Sequence, residues 1–253
     1  MIGSGLVSIS FRKQTVETLV AECVKNKIKA IEWGGDVHVP HGDLEKAAYV
    51  AGLMAKNHLV TASYGSYYRA GMPDQVDFAK VAATAKVLGA PTIRVWAGGK
   101  ASAEATDDDR KAVVEDLKRC CQLAAEAGLT VSTEYHANTL TDTNESAQLL
   151  LSEVGPALLT GWQPPNGKPF AYRMEGLKKV LDRVTTIHVF TWTDSNARLP
   201  LSDGEADWKK YLEVANGGGD HYALLEFFID DSLEQFAKDA ATLNRMIAEV
   251  NAK

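Results

Sequence analysis

Residues 129–134 read LTVSTE, a short apolar and β-branched run that ends in a glutamate, Glu134. Three later runs have the same form: ALLTGWQ ends at Gln163, TTIHVF contains His188 and YALLEFF contains Glu226. These four polar residues are separated by 29, 25 and 38 residues, about one strand-plus-helix unit each. In a parallel barrel, corresponding ends of successive strands meet at one mouth, so we expect the four side chains to converge there.

Strand and helix patterns alternate along the whole chain. Apolar runs predict strands at 5–10, 28–33, 59–64, 92–96, 129–134, 157–162, 185–190 and 222–228. Amphipathic stretches predict helices near 15–27, 43–57, 74–88, 106–127, 143–153, 172–183, 205–216 and 232–250. Asp43 and Thr143 are capping residues at helix starts, and Gly89 and Gly128 end helices. Strict alternation implies parallel strands, and eight units predict a single (β/α)8 TIM barrel domain over residues 1–253.

An open Rossmann-type sheet is the structural alternative to a barrel. It would need a glycine fingerprint after the first strand, and the sequence SFRKQTVE there contains none. The glycine run at 217–219 precedes the eighth strand. It is therefore interpreted as a tight turn at the opposite mouth and not as a phosphate-binding loop.

Composition argues against several classes of partner. The net charge is −6 and the basic residues are spread along helices, which is not typical of a nucleic-acid-binding surface. No apolar stretch approaches the roughly 20 residues that span a bilayer, and the N-terminus lacks signal-peptide features, so we expect no membrane association. The three cysteines lie in helical stretches, and the adjacent pair is poorly placed for a disulfide. A reduced, cytoplasmic environment is the expectation.

The four polar strand-end residues together predict a metal centre. Carboxylates are rarely buried unless paired or metal-bound, although either glutamate alone could be a rim or salt-bridge residue. A histidine in an apolar strand is more often a hydrogen-bonded core residue, and Gln163 in WQPP could belong to a polar turn. Their shared position makes ligation of a divalent ion the better interpretation, with an amide oxygen as one donor.

Segments after the predicted strands are distinctive: IEWGGDVHVPHGD at 31–43, EYHANTLTDT at 134–143, IHVF at 187–190 and LLEFF at 224–228. They resemble the xylose isomerase-like barrels, which include sugar isomerases, ketose 3-epimerases, inosose dehydratases and apurinic-site endonucleases. The family's usual ligands are Glu, Asp, His and Glu from strands five to eight. The resemblance implies Glu134, His188 and Glu226 as ligands, with Gln163 in the place of the aspartate. It also implies one divalent ion, Mn²⁺ or Mg²⁺, with Co²⁺ as an alternative.

Polar and aromatic residues at the other strand ends predict a carbohydrate site. Aromatic rings can pack against the C–H faces of sugars, while Arg and His donate to hydroxyls. Ordinary packing explains each aromatic residue equally well. His136 is the best candidate, because it lies two residues after a predicted ligand. The predicted substrate-binding residues are Trp33, His38, Tyr64, Arg94, Trp96, His136, Trp192 and Arg198, with Glu32 and His41 nearby.

The predicted centre suits enediolate chemistry on a keto-sugar or related polyol. One glutamate would remove the proton beside the carbonyl and the other would return a proton, so Glu134 and Glu226 are the predicted catalytic pair. Return to the same carbon gives an epimerase, and return to the neighbouring carbon gives an isomerase. We predict one of these, with a lyase or dehydratase acting by β-elimination as the alternative.

A non-catalytic sugar-binding or partner subunit is a second alternative, because Gln163 stands where the family has an aspartate. An apurinic-site endonuclease is disfavoured, since this acidic chain lacks a basic groove. The expected partner is a small carbohydrate substrate. A homo-oligomer is expected by analogy with the family.

Overall fold

Eight parallel strands close a barrel in the computed structural model, which describes residues 1–253. Most strand residues are buried, as expected for short apolar strands with helices outside and side chains inside. Around the barrel, each strand pairs with its neighbours in parallel, and the first strand closes against the last. The predicted (β/α)8 TIM barrel is confirmed. The barrel strands are β1 (Ile2–Val7), β2 (Ala30–Gly34), β3 (Val60–Arg69), β4 (Thr92–Trp96), β5 (Thr130–Glu134), β6 (Leu158–Trp162), β7 (Val184–Val189) and β10 (His221–Leu225), while β8 (Thr191–Trp192) and β9 (Arg198–Leu199) form a separate antiparallel pair.

One long helix follows each barrel strand. The helices are α1 (Val16–Lys25), α2 (Leu44–Lys56), α3 (Phe78–Leu88), α4 (Asp107–Glu126), α5 (Asn144–Val154), α6 (Phe170–Val180), α7 (Glu205–Asn216) and α8 (Leu233–Asn251). The side chains of Asp43 and Thr143 accept backbone hydrogen bonds from Lys46 and Ser146, so both predicted caps are confirmed. Gly89 ends α3 with a left-handed φ of 77°, as predicted. None of the helices is both long and apolar enough to cross a membrane.

The first strand begins earlier than its sequence pattern indicates. The pattern predicts a strand at 5–10, whereas β1 ends at Val7 and Ser8–Phe11 forms a short 3-10 helix. Glycines are weak strand formers, and they obscure the start of the strand. Here they permit close packing, because a Cβ on Gly3 would lie 2.7 Å from a ring atom of Tyr222 on β10.

Two differences occur at the mouth that carries the candidate site. Strand β3 continues to Arg69, past the predicted end at 64, through a register irregularity after Gly65. Strand β10 ends at Leu225 and not at 228, so Glu226 lies just beyond it and its backbone N–H donates to the Val189 carbonyl at 3.0 Å. The pair β8 and β9 is not predicted from the sequence, because two-residue strands leave no periodic signal.

Candidate metal centre and adjoining cavity

The carboxyl ends of three strands bring Glu134, His188 and Glu226 together. Glu134 ends β5, His188 lies on β7 and Glu226 directly follows β10. One possible ligand atom from each residue lies within 4.8 Å of the others. All three side chains are buried. The convergence expected from the strand-end positions is therefore present.

His188 lies among three carboxylates. Its Nδ1 is 3.4 Å from Glu134 Oε1 and 3.3 Å from Glu226 Oε2, while Nε2 is 3.5 Å from Glu32 Oε2. Neither ring nitrogen nor Glu226 Oε2 has a well-formed hydrogen bond within the protein. Buried polar atoms usually have a partner, so these atoms are free to bind a ligand.

Glu134 is fixed through one of its two oxygens. Arg94 Nη1 and Trp96 Nε1 both donate to Oε2, the tryptophan at 2.6 Å. The hydroxyl of Thr141 donates to the backbone carbonyl of Glu134. The remaining oxygen, Oε1, faces His188. Glu134 therefore offers one oriented oxygen to a ligand.

Arg94 also holds Glu32, so it joins two carboxylates in one buried chain. Its Nε donates to Glu32 Oε1 at 2.8 Å, and the Ser63 hydroxyl donates to Glu32 Oε2. Arg94 and Glu32 are only 2% and 1% exposed. The sequence places Arg94 among substrate-binding candidates and gives no indication of this pairing, which joins β2 to β4 and β5.

The charges in this cluster control its ionisation. Burial raises the pKa of Glu32, but the positive charge of Arg94 and His188 outweighs burial and lowers that pKa to about 2. The pKa of Glu134 is also lowered well below its ordinary value, because the positive charge of Arg94 and His188 outweighs burial there too. Burial lowers the pKa of His188, but the Glu226 and Glu32 carboxylates raise it well above the ordinary value. For Glu226 burial dominates, and its pKa is raised despite the opposing effect of His188.

The donor set fits one hard divalent cation. Glu32, Glu134 and Glu226 supply three negative charges and Arg94 one positive charge, so a neutral His188 leaves two negative charges in excess. A divalent ion would balance that excess. Carboxylate oxygens with one imidazole nitrogen suit Mn²⁺, Mg²⁺ or Co²⁺ better than the thiolate-rich sites of softer metals.

Gln163 lies in the loop after β6. Its Nε2 donates to the carbonyl of Tyr135 at 2.6 Å, and its buried Oε1 has no hydrogen-bond partner within the protein. An unpartnered amide oxygen is what the predicted ligand role requires. That role stays a prediction.

A cavity of about 730 Å³ adjoins the cluster at the same barrel mouth. Of the predicted residues, His136, Gln163 and Trp192 line it. Loops after β5, β6 and β7, and Phe227 after Glu226, form its walls. Most of this lining is not predicted from the sequence, although position after a barrel strand is an available signal. Residues missed in this way include Tyr135, Asp142, Asn166, Lys168, Phe190, Asp194, Asn196 and Phe227.

Trp96 lies between the cluster and the cavity. While its Nε1 donates to Glu134, its ring stacks on His136 with a centroid distance of 4.5 Å. Arg198 is next to the cavity wall, paired with Asp231 at 2.5 Å and with its guanidinium 5.4 Å from the centre of the Phe227 ring.

The structure does not bring three predicted substrate-binding residues to this cavity. Trp33 is fully buried and packs edge-to-face on His38. Tyr64 is also fully buried, and its hydroxyl donates to the Val39 carbonyl at 2.7 Å and contacts His41. Contact of Trp33, His38 and Tyr64 with substrate stays a prediction.

Comparisons with known proteins agree with the barrel. A 62-residue segment is 42% identical to the 3-dehydroshikimate dehydratase of Bacillus anthracis, and it covers 24% of this chain and 22% of that protein. The structure of the probable 3-DHS dehydratase AsbF, involved in petrobactin synthesis in Bacillus anthracis, matches with a TM-score of 0.81 at 21% identity, covering 96% of this chain and 98% of that chain.

Two further solved structures share the fold at lower identity. L-ribulose 3-epimerase matches with a TM-score of 0.72 at 13% identity and covers 100% of this chain and 96% of its own. A xylose isomerase-like TIM barrel protein from Mycobacterium smegmatis, solved in complex with magnesium, matches with a TM-score of 0.71 at 14% identity, covering 98% and 97%. The profile of the family described as xylose isomerase-like TIM barrel matches residues 20–246. This protein belongs to the xylose isomerase-like TIM barrel family.

Proposed function

We propose that this protein is a divalent-metal-dependent isomerase or epimerase that removes the proton beside the carbonyl of a keto-sugar or related polyol. The observation that carries the proposal is the buried convergence of Glu134, His188 and Glu226 beside a cavity of about 730 Å³. Mn²⁺ or Mg²⁺ is the proposed ion. When bound, such an ion supplies Lewis acidity, which polarises a carbonyl and stabilises the negative charge that develops on its oxygen.

The two glutamates have different surroundings, which favours different roles. Arg94 and Trp96 occupy one oxygen of Glu134 and keep it ionised, so it is suited to hold a cation. Glu226 has an unpartnered Oε2 and a raised pKa, so it is suited to accept a proton and return it. In the proposed step the C–H bond breaks, Glu226 takes the proton, and the electron pair stays on the substrate as an enediolate.

Return of the proton completes an isomerisation or an epimerisation. With Glu226 as the single carrier, return to the adjacent carbon is the simpler outcome. Epimerisation would require a second donor on the opposite face of the substrate. Glu134 is the other predicted catalytic residue, but Arg94 and Trp96 keep it ionised, so its contacts favour isomerisation over epimerisation.

Dehydration is the second candidate function. After the same proton removal, the enediolate would expel a β-hydroxyl, which leaves as water once it is protonated. The segment similar to 3-dehydroshikimate dehydratase and the structural likeness to AsbF favour this outcome. A single proton-carrying carboxylate is also consistent with it.

Exchange in deuterated water separates the candidates. Protein loaded with Mn²⁺ or Mg²⁺ is incubated with a panel of ketoses, keto-glycosides and cyclic polyol ketones, and products are followed by proton NMR and mass spectrometry. Isomerisation or epimerisation gives a product that carries deuterium from the solvent and loses no water. Dehydration gives a product that is lighter by one water. Protein that binds neither ion in calorimetry would contradict the proposal and favour a non-catalytic sugar-binding subunit.

A further inference from the structure

We infer that the cavity beside the metal-ligand cluster binds a second, uncharged sugar unit, so that the substrate is a glycoside or disaccharide and not a monosaccharide phosphate. This inference rests on the proposed function, because it assumes that a first unit reacts at Glu134, His188 and Glu226. It assigns to the cavity a part of the substrate that takes no part in the proposed proton transfer.

The position and size of the cavity support a substrate with two units. Its walls follow β5, β7 and β10, the same strands that position the three cluster residues. A molecule whose reactive end reaches the cluster would therefore place its remainder in the cavity. The volume of about 730 Å³ lies within the roughly 300–1,000 Å³ of sites for drug-sized ligands, which are larger than one sugar ring.

One wall of the cavity is aromatic. The rings of Phe190, Trp192 and Phe227 pack together with centroid distances of 4.8, 4.9 and 5.5 Å. Phe227 has a left-handed φ of 57°, a backbone conformation that bulky residues rarely adopt and that is concentrated at functional sites. Such a wall offers apolar surface to the C–H face of a sugar ring.

Unpartnered polar atoms accompany the aromatic wall. Asp142 Oδ1 is a buried acceptor and Trp192 Nε1 is a buried donor, and neither has a hydrogen-bond partner within the protein. A buried polar group without a partner costs about 1–3 kcal/mol. Hydroxyl groups both donate and accept, so one sugar ring could satisfy donors and acceptors together.

The charge of the lining disfavours a phosphate. Lys168 is the one basic side chain among the lining residues besides His136, and Asp142 and Asp194 oppose it. Phosphate sites use arginines or several basic groups, and no arginine lines this cavity.

Two arginines at this mouth, Arg12 and Arg198, line a second cavity of about 490 Å³ that shares Phe227 with the first. Both of them are already paired there, Arg12 with Asp36 and Arg198 with Asp231. They are therefore not free to form a phosphate site.

Binding of non-reactive sugars tests the inference without turnover. Mn²⁺-loaded protein is titrated in a calorimeter with disaccharides of glucose, galactose, mannose and xylose, and with each monosaccharide and its 6- or 5-phosphate. We expect at least one disaccharide to bind about tenfold more tightly than its monosaccharide, and no phosphate to bind more tightly than the free sugar. A phosphate that binds more tightly, or the lack of any disaccharide preference, would overturn the inference.

Two variants locate the effect. Trp192→Ala should remove about tenfold of the disaccharide affinity. Tyr49→Ala removes an exposed aromatic ring on α2, outside the cavity, and should leave the affinity unchanged. Equal losses in both variants would contradict the cavity assignment. Deuterium exchange with simple ketoses is measured on the same protein. If exchange occurs but no disaccharide binds more tightly than its monosaccharide, this inference alone is overturned. If a disaccharide binds more tightly but the protein shows neither exchange nor metal binding, the proposed function alone is overturned.

Discussion

The buried contacts that run from Ser63 through Glu32 and Arg94 to Glu134 give the two candidate catalytic glutamates unequal surroundings. Glu134 is at the end of this chain and has one oxygen committed to it. Glu226 is outside this chain, and its one ion-pair contact is with His188. A charged metal ligand needs a fixed geometry, and Glu134 meets this requirement. A proton carrier needs a pKa near the working pH, and the raised pKa of Glu226 suits that role.

We expect Glu226→Gln and Glu134→Gln to fail in different ways. Glu226→Gln keeps the shape but loses the proton acceptor, so turnover should fall by about 10²–10⁴-fold, with a smaller loss of metal affinity than in Glu134→Gln because the amide oxygen can still ligate the ion. Glu134→Gln removes a fixed negative ligand, so metal affinity and turnover should fall together. Calorimetry with Mn²⁺ and deuterium exchange measure the two quantities. Equal metal affinity in both variants would show that the unequal contacts do not separate the roles.

Glu32 is expected to act on the metal through His188. If Nδ1 binds the ion, Nε2 carries the proton and faces Glu32 Oε2, 3.5 Å away. Carboxylates in this position orient a ligating imidazole, and their loss costs about 10–100-fold in metal affinity. We expect Glu32→Gln to show this loss in calorimetry. Glu153→Gln, which removes a partner of Arg110 on the outer helices, is the matched control and should bind metal normally.

At the level of elements, the features that depend on one strand at a time can be predicted from the sequence. Glu134, His188 and Glu226 each end an apolar run, so barrel geometry alone accounts for their convergence. The pairing of Arg94 with Glu32 could not be predicted, because it depends on which side chains of β2 and β4 share the barrel interior. The lining of the cavity comes from loops, whose conformation has no periodicity that a sequence pattern could show.

Gly65 on β3 provides a test of how closely the elements fit around the ion pairs. A Cβ there would lie 2.6 Å from Arg94 Nη2 and 3.0 Å from Glu32 Oε1. We expect Gly65→Ala to lower the free energy of unfolding by about 1–3 kcal/mol, as overpacking does, and to weaken metal binding.

Gly52 on α2 gives the matched control, since nothing lies within 4 Å of its Cβ position. Gly52→Ala should stabilise the protein by roughly 0.5–1 kcal/mol, because alanine loses less backbone freedom in a helix. Both changes are measured by chemical denaturation. A neutral Gly65→Ala would show that the Arg94 side chain can move without cost.

For the whole molecule, the cluster links stability to pH and to metal. In the metal-free protein the pKa of His188 is raised, so its contribution to stability is complete below its unfolded value of about 6.5 and is lost as the pH rises through the folded value. The raised pKa of Glu226 acts in the same direction. The lowered pKa values of Glu32 and Glu134 act oppositely: their contribution is present above about 4.3 and is lost as the pH falls through the lowered values, about 2 for Glu32.

A bound cation should reverse the loss at high pH. Ligation needs a neutral His188 and an ionised Glu226, so binding displaces the protons that these groups hold, and metal affinity must rise with pH. A ligand that binds only the folded state stabilises it in proportion to the logarithm of its concentration over Kd. We therefore expect the increase in Tm with Mn²⁺ to be larger at pH 8 than at pH 6, by differential scanning fluorimetry. His188→Ala should abolish most of this increase, and an increase independent of pH in the unmodified protein would show that the ion binds elsewhere.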